Sequence, residues 1–485
     1  KGINSWNLPI VSGSENQSEF PLSMSQRRLW FIEQYEEGSD SHNIVNAIDF
    51  FGDLNCDALN YAFRKLVERH HILRTTYHQT DKGAYQRVQE VDAFEISVLD
   101  VPENSGNWLQ EKIEESASCP LPISTSSPLK LQLFRHNDHH HTLLIVVHHI
   151  AFDALSSQIL VQEVSHFYKT CLAGEYAALP PLPIQYGDYA RWQQEWEQGD
   201  EYQKQASYWC KFLASNQEPL SLARDLKRGL LTTRKASLGV ERLVLESTTY
   251  TRLHNFSRSH ECSLYTLLLS FFALLLKRNS DQSEINIGTS VAQRERVELE
   301  PLIGFFVNTL VMHLKPGDGE NYTDYLAQVD QTVKGALANQ ALPFDRLMEL
   351  LEVERSSNHS PMFQAFFVLL GKEEVSGLQL HGVNIQPRAQ RVEAARFDIL
   401  MKAYEDKEQQ SLRISFQYAL DLYDRERVLA MLADYHQFIN AVLAHPDVRL
   451  DRLVLSGANS VALSTQELMA DTALEAFEQI AIARG

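Results

Sequence analysis

The sequence has few cysteines and no long apolar run, and each absence excludes a class of protein. The five cysteines lie at least 39 residues apart, so no Cys-x-x-Cys pair is available for zinc or redox chemistry, and a reduced, cytoplasmic setting is expected. The most apolar window, residues 264–276, has 13 residues, whereas a membrane-spanning helix needs about 20. It predicts a buried helix. The chain opens without an apolar signal segment, so no membrane partner is expected.

Clusters of basic residues and phosphate-binding loops are also missing. The 485 residues include 44 Lys and Arg against 63 Asp and Glu, which gives a formal net charge of -19. Because nucleic-acid binding needs clustered cations, no nucleic-acid partner is expected. The sequence has no GxxxxGKS/T, GxGxxG, GxSxG or HExxH motif. The sequence therefore gives no support to ATP hydrolysis, dinucleotide chemistry or zinc proteolysis as the function.

Helical and strand-like patterns alternate along the chain. Apolar residues repeat with helical spacing at residues 25–34 and 56–70, and a continuous apolar run at residues 142–147 predicts a buried strand. An aromatic-rich segment, residues 186–209, is predicted as one helix. Interleaved strands and helices predict an α/β or α+β class.

A proline-rich stretch is expected to divide the chain into two lobes. LPPLPI at residues 179–184 has three prolines in six positions, which is typical of a boundary. The polar ends are predicted as linkers, and with the missing initiator Met they indicate a piece of a longer polypeptide. The predicted organisation is a linker, two lobes and a second linker: residues 1–17, 18–184, 185–455 and 456–485.

The strongest candidate for chemistry is VVHHIAFDALS at residues 146–156. His148 and His149 end the predicted strand, and because strand side chains alternate, at most one of them can face a given cavity. An imidazole with an ordinary pKa of about 6.5 is mostly a neutral base at pH 7. Asp153 stands where a carboxylate caps a helix beginning at Ala154. A capped turn without chemistry is the alternative that the pattern leaves open.

Three neighbouring histidines at residues 139–141 form a second candidate. Adjacent ligands on an Asn-Asp turn rarely share one face, so this segment is predicted as a solvated turn and no metal is expected.

The motif at residues 148–154, HHIAFDA, resembles the HHxxxDG signature of condensation domains of non-ribosomal peptide synthetases, in the chloramphenicol acetyltransferase-like superfamily. Further boxes in the same order resemble this family at residues 22–30, 69–75, 186–192, 303–309 and 339–345, with a looser one at 355–363. The matching motif residues are Gln26, Arg27, Trp30, Arg69, His70, Arg74, Tyr186, Asp188, Gly304, Asn308, Gln340, Pro343 and Phe344.

The resemblance implies a fold, an activity and roles for the site residues. The expected fold is two acetyltransferase-like lobes in a V-shaped pseudo-dimer with a central tunnel. His149 is then the active-site histidine, His148 and Asp153 are mainly structural, and Arg294 pairs with the motif aspartate across the lobes. The implied reaction forms an amide bond when an acceptor aminoacyl α-amine attacks a donor aminoacyl or peptidyl thioester.

The same resemblance implies the partners. Both substrates arrive on 4'-phosphopantetheine arms of upstream donor and downstream acceptor carrier domains, and no cofactor is bound permanently. Residues 472–477 resemble the lead-in to an adenylation domain, which is expected to follow, and the excised domain is expected to be monomeric.

Departures from the family pattern leave alternatives open. Ala154 replaces the usual glycine, which could narrow the acceptor side of the tunnel and, at positive φ, would strain the backbone. His71 and Ala341 replace a glutamate and an aspartate. The intact box at residues 303–309 argues against an epimerisation domain, and the two histidines argue against a heterocyclisation domain. Dehydration of a tethered side chain and a non-catalytic recruitment platform remain as alternatives.

Overall fold

The computed structural model contains helices and strands interleaved along the chain, which confirms the mixed α/β class. Buried apolar side chains from both halves, before and after residue 185, form one continuous core. The structure describes residues 9–13, 17–35, 42–81, 83–91, 94–103, 106–175, 178–214, 220–222, 237–280, 282–353, 362–371, 378–388, 395 and 397–455. The predicted linker at 456–485, its resemblance to an adenylation lead-in and most of the loose box at 355–363 lie outside these residues.

The first half alternates short strands with three long helices and a fourth that follows the histidine motif. Its elements are β1 (Glu19–Pro21), α1 (Met24–Tyr35), β2 (Asn43–Gly52), α2 (Cys56–Arg69), β3 (Thr75–Thr80), β4 (Gly83–Val88), β5 (Ser97–Asp100), α3 (Trp108–Ser118), β6 (Leu129–Asn137), β7 (His140–His148) and α4 (Ala154–Ala173).

The second half begins with two helices and then builds the larger sheet. Its elements are α5 (Tyr186–Trp196), α6 (Asp200–Leu213), β8 (Leu238–Leu245), α7 (Ser247–Ser259), α8 (Leu264–Arg278), β9 (Ile285–Ala292), β10 (Val307–Leu314), α9 (Tyr322–Ala338), α10 (Phe344–Leu350), β11 (Ala365–Gly371), β12 (Val383–Pro387), β13 (Ile399–Asp406), β14 (Ser411–Ala419), α11 (Arg425–Ala444) and α12 (Leu450–Leu455).

Helix boundaries follow local capping chemistry. Helix α4 begins after Asp153, whose side chain accepts from the Ser156 amide, and ends at Gly174 in the left-handed conformation. Helix α8 begins after Ser263, which caps it through the Thr266 amide, and its apolar residues are buried all round. The apolar window of the sequence is therefore a core helix, as its length indicates.

Two larger sheets position the site. One has the order β12-β2-β7-β6-β5, and β7 is buried along nearly its whole length. The other has the order β10-β9-β11-β13-β14-β8. In the second sheet β11 runs parallel to both β9 and β13, while the remaining pairs are antiparallel. A third sheet has the order β1-β4-β3.

Strand β12 crosses from the second half to the first. It pairs antiparallel with β2 from Val383, opposite Gly52, to Pro387, opposite Ile48. The division of the chain at residue 184 stays a prediction, and this exchange means that the first half does not complete its sheet from its own sequence alone.

Two local predictions are wrong. Residues 186–209 form α5 and α6 instead of one helix, because the chain turns at Gly199, an extended residue with the poorest helix propensity after proline, and Trp196 and Trp209 are both buried. At residues 139–141 only His139 lies in the exposed turn. Strand β7 begins at His140, and His141 is buried opposite Phe50 because strand pairing with β2 extends that far.

In the part of the chain that the structure describes, no single helix is long and apolar enough to cross a membrane. Helices α7 and α8 reach that length and composition only as a pair bent by 103°.

Candidate active site

The candidate site is centred on the short turn between β7 and α4. Strand β7 ends at His148, and His149–Ala151 form one turn of 3-10 helix. The His149 amide donates to the carbonyl of His42 at 2.9 Å, which fixes the start of the turn. The strand alternation that the sequence predicts does not extend to His149, because the strand has already ended. Residues 148–152 are called the histidine turn below.

His149 has one ring nitrogen committed to its own turn. Its Nδ1 lies 2.6 Å from the carbonyl oxygen of Phe152, and because a carbonyl only accepts, Nδ1 carries the proton of the neutral ring. The basic lone pair is therefore on Nε2. The ring is buried and meets the Phe305 ring edge-on, with centroids 4.7 Å apart. The turn thus fixes both the tautomer and the orientation of the imidazole.

His148 has both ring nitrogens engaged. Its Nδ1 accepts from the Ile150 amide at 3.1 Å, so the proton lies on Nε2, which donates to Glu33 at 2.9 Å. Burial alone would raise the pKa of Glu33, but the hydrogen bonds from His148 and His42 outweigh it and lower that pKa to about 2. His148 is therefore held as a structural donor to a carboxylate.

Asp153 joins the motif to the second half. One carboxylate oxygen, Oδ1, accepts from the amide and hydroxyl of Ser156 and from Arg294 at 2.9 Å, and the other, Oδ2, accepts from the Phe306 amide at 3.1 Å. Arg294 also donates to two main-chain carbonyls and lies over the Phe306 ring at 4.2 Å. Asp153 and Arg294 are both buried, so this is a hydrogen-bonded buried ion pair across the two halves.

Each of the four residues 303–306 forms a backbone hydrogen bond to a side chain of the first half or to the Tyr186 hydroxyl. The bonds join the Ile303 amide to His70 Nδ1 (3.3 Å), the Gly304 amide to Ser156 Oγ (3.0 Å), the Phe305 carbonyl to the Tyr186 hydroxyl (2.6 Å) and the Phe306 amide to Asp153. Glycine is required at position 304 for steric reasons, because a Cβ there would lie 2.2 Å from the Tyr186 ring. Asp153, Ser156, Arg294 and residues 303–306 together are called the aspartate latch.

The other motif residues of the first half brace the turn and its helices. Gln26 is fully buried and donates to the Ile150 carbonyl at 3.2 Å. Arg69 and His70 share Glu163, each at 2.9 Å. The remaining contacts are Trp30 to Gln79 (3.3 Å), Arg27 to Glu197 (2.6 Å) and Arg74 to the Gln89 carbonyl (3.2 Å).

Motif residues of the second half fix loops around α5 and α10. Asp188 completes a capping box at the start of α5. Asn308 donates to the Gln340 carbonyl at 2.8 Å and accepts from the Phe344 amide at 3.0 Å. Pro343 is the residue before α10. These contacts are architectural, because they join main-chain groups of the loops to one another.

The departures from the family pattern occupy unstrained positions. Ala154 is the first residue of α4 and has no positive φ, so the strain considered from the sequence does not arise. It lies on the wall of a cavity of about 350 Å³. Burial, helped by the neighbouring Arg74, lowers the pKa of His71 to about 4, and the Ala341 amide donates to Gln205 at 3.1 Å.

Two groups of histidine and carboxylate side chains among the described residues lie close enough to be tested as metal ligands. The first contains Glu33 and His148, and both ring nitrogens of His148 are already engaged in hydrogen bonds. In the second, the His136 and His140 rings stack 3.9 Å apart at 5°, so their in-plane lone pairs do not converge, and Arg388 bonds to Asp49 at 3.1 Å. The expectation of no bound metal stays a prediction.

Sequence reasoning missed Glu33 and Ser156. Ser156 stands three residues after Asp153, a capping-box spacing that could have indicated its role. Glu33 lies three residues after Trp30 of the first box, and no local pattern connects it with a histidine 115 residues away.

Comparison with known proteins identifies the family of the chain. The family model described as Condensation domain matches residues 16–462. Nonribosomal peptide synthetase kk1B of Curvularia clavata is 32% identical over 437 residues, and Tyrocidine synthase 3 of Brevibacillus parabrevis is 30% identical over 443 residues. These alignments cover 90% and 91% of this chain but only 3% and 7% of the two relatives. The chain therefore spans a small part of the length of these synthetases.

Solved structures establish the fold. The X-domain in its complex with OxyB from teicoplanin biosynthesis has a TM-score of 0.81 and 23% identity, over 92% of this chain and 98% of that chain. The condensation domain from the Monacolin K polyketide synthase MokA has a TM-score of 0.71 and 19% identity, over 90% and 99%. The chloramphenicol acetyltransferase-like fold is thereby confirmed. With the family match, the chain belongs to the condensation domains of non-ribosomal peptide synthetases.

Proposed function

We propose that this domain forms a peptide bond between two substrates tethered to carrier domains. The acceptor α-amine attacks the donor thioester, and each substrate arrives on a 4'-phosphopantetheine arm. The donor carrier lies upstream, an adenylation domain follows this domain directly, and the acceptor carrier lies further downstream. In this proposal the domain is an amide-forming acyltransferase that needs no permanent cofactor.

The observation that carries the proposal is the hydrogen bond from His149 Nδ1 to the Phe152 carbonyl, at 2.6 Å. It keeps the basic lone pair on Nε2 in a ring that cannot turn without breaking this bond. A neutral imidazole presented in this way can accept a hydrogen bond from the attacking amine. The adjacent His148 cannot do the same, because Ile150 and Glu33 engage both its nitrogens.

The reaction balances without an added reagent. The amine nitrogen forms a bond to the thioester carbon, the carbon–sulfur bond breaks, and one amine proton ends on the departing sulfur. His149 Nε2 orients the amine and takes this proton as the tetrahedral intermediate forms, then returns it to the thiolate. The histidine is unchanged at the end of the cycle.

Positioning supplies most of the rate. A thioester is already activated, and a neutral α-amine is a fair nucleophile. Holding the two in line contributes up to about 7–11 kcal/mol, whereas a positioned base contributes about 10²–10⁴-fold. The aspartate latch serves this role, because it fixes residues 303–306, including Phe305 against the His149 ring.

Two alternatives use the same fold. Dehydration of a tethered side chain would also employ a buried base. A non-catalytic recruitment platform would need neither histidine, and the retained His149, Asp153 and Arg294 contacts argue against it.

One assay separates these functions. The full chain is mixed with separately loaded donor and acceptor carrier domains, and the tethered products are weighed by mass spectrometry. A dipeptidyl thioester on the acceptor carrier is the expected result. A loss of the mass of water would indicate dehydration, and unchanged substrates together with measurable carrier binding would indicate a platform.

A further inference from the structure

The cavity beside Ala154 is lined largely by apolar side chains from six elements. Its volume is about 350 Å³, and its wall combines the first turns of α4 and α8 with β9, β10, β11 and α9. Val291, Leu337 and Leu369 contribute apolar surface, and Tyr265 and Thr289 contribute polar groups. The cavity therefore spans the junction between the first half and the larger sheet.

The charge available to a ligand in this cavity is small. Among the described residues that line it, Asp153 is the one carboxylate, and the four hydrogen bonds of the aspartate latch already engage both its oxygens. None of these lining residues is a lysine, arginine or histidine. A charged group placed there would lose its hydration without gaining an oppositely charged partner from these lining residues, whereas an apolar group would be favoured.

The volume fits part of a substrate better than a whole one. Ligand pockets usually occupy about 300–1,000 Å³, which places this cavity near the lower limit. It is roughly twice the engineered apolar cavity of about 150 Å³ that accepts benzene. One large aliphatic or aromatic side chain, or a short acyl chain, is the occupant that matches this size.

The location connects the cavity to the chemistry of the turn. Its wall begins at Asp153, the residue after Phe152, whose carbonyl holds His149. It also includes Val307, two residues after Phe305, which packs on the His149 ring. The cavity wall therefore adjoins the residues that hold the His149 ring.

We propose that this cavity selects tethered substrates by binding an apolar side chain or acyl group of the residue being joined, with Ala154 and Val291 on its wall. The proposal rests on the proposed function for the identity of the tethered substrate, but it concerns binding and is measured without turnover. It predicts preference for leucyl or phenylalanyl groups over glycyl and aspartyl groups by about 10- to 100-fold, the discrimination typical of apolar pockets.

The first test uses unreactive pantetheine amides of glycine, leucine, phenylalanine and aspartate, titrated into the full chain by calorimetry. Tighter binding of the leucine and phenylalanine amides is expected. Equal dissociation constants for all four would overturn the proposal. Because no bond is formed, this result does not depend on whether the domain makes dipeptides.

The second test fills or enlarges the cavity. Val291→Phe should weaken the phenylalanine amide by at least tenfold and leave the glycine amide unchanged, while Val291→Ala should keep or improve binding of the larger amide. The matched control is Val297→Phe, at a valine that is 74% exposed outside the cavity lining. Equal weakening of the glycine and phenylalanine amides by Val291→Phe, or weaker binding of the phenylalanine amide by Val291→Ala, would contradict the assignment.

A final comparison identifies which substrate enters. Single-turnover condensation is followed with phenylalanine on the donor and glycine on the acceptor, and then with the two exchanged. The Val291→Phe variant should slow one arrangement and spare the other, and the slowed arrangement identifies the side. Equal slowing of both would oppose a side-chain cavity. If neither arrangement gives product with the wild-type domain, the proposed function fails. The calorimetric binding of the pantetheine amides still tests whether the cavity binds apolar groups.

Discussion

The histidine turn and the aspartate latch share one motif but are held in opposite ways. The turn takes its hydrogen bonds from the first half: His149 bonds to its own turn and His148 bonds to α1. The latch reaches across the molecule, where Asp153 bonds to Arg294 and to the backbone of residues 303–306. In the proposed function, the reacting histidine is therefore held by local hydrogen bonds, whereas the contact between the two halves is held by long-range ones. Variants in the latch should reduce stability first, and variants in the turn should reduce rate first.

The largest stability effect is expected for Asp153→Ala. It leaves Arg294 buried without its carboxylate and removes the acceptor of the Phe306 amide, so the free energy of unfolding should fall by about 3–5 kcal/mol. Urea denaturation measures it. Asp100→Ala is the control, because Asp100 pairs with Arg135 at the similar distance of 2.6 Å but on the surface. Equal changes in the two variants would mean that the latch does not hold the halves together.

A smaller loss is expected for Gly304→Ala. The added methyl would lie 2.2 Å from the Tyr186 ring and 2.6 Å from the Phe306 ring, and overpacking of this kind costs about 1–3 kcal/mol. Gly371→Ala is the control, since a Cβ there meets no atom within 4 Å. Condensation rate should fall with Gly304→Ala, because Phe305 moves against His149. A stable and fully active variant would contradict the tight fit of residues 303–306.

A pH-dependent effect is expected for Glu33→Gln. The pKa of Glu33 is lowered in the folded state from 4.5 to about 2, so its contribution to stability is present above pH 4.5 and is lost as the pH falls toward 2. The variant should lose about 1.5–3 kcal/mol at pH 7, the range for a hydrogen bond with a charged partner, and should show a weaker acid dependence. Urea denaturation between about pH 7 and pH 2.5 measures both. Glu90→Gln, at an exposed glutamate, should leave the profile unchanged, and an identical profile for Glu33→Gln would oppose its pairing with His148.

The smallest effect is expected for Ala154→Gly, which restores the usual family residue. Ala154 is the first residue of α4, so the change should cost no more than about 1 kcal/mol, the helix penalty of glycine. Because the methyl lies on the cavity wall, the rate should change by only a few-fold. A rise of a hundredfold in single-turnover rate would mean that Ala154 blocks the wild-type site.

The sequence predicted the residues of the site better than their arrangement. The motif boxes indicated His149, Asp153 and Arg294, because residue identity survives in a linear pattern. Strand β12 had no usable signal, since VNIQP is only partly buried and its partner strand is more than 300 residues earlier in the chain. The different roles of His148 and His149 were predicted, but their hydrogen-bond partners were not, because these depend on where β7 ends and on Glu33 of α1.

In the proposed function His149 acts on the substrate through Nε2, whereas the latch acts only by holding the fold around the His149 ring. His149→Asn tests this claim most directly, because the asparagine amide can still donate to the Phe152 carbonyl but has no basic nitrogen in place of Nε2. Single-turnover formation of the dipeptidyl thioester should fall by about 10²–10⁴-fold. The free energy of unfolding should stay within about 1.5 kcal/mol of wild type, the net contribution of one hydrogen bond. A rate within a few-fold of wild type would contradict the claim.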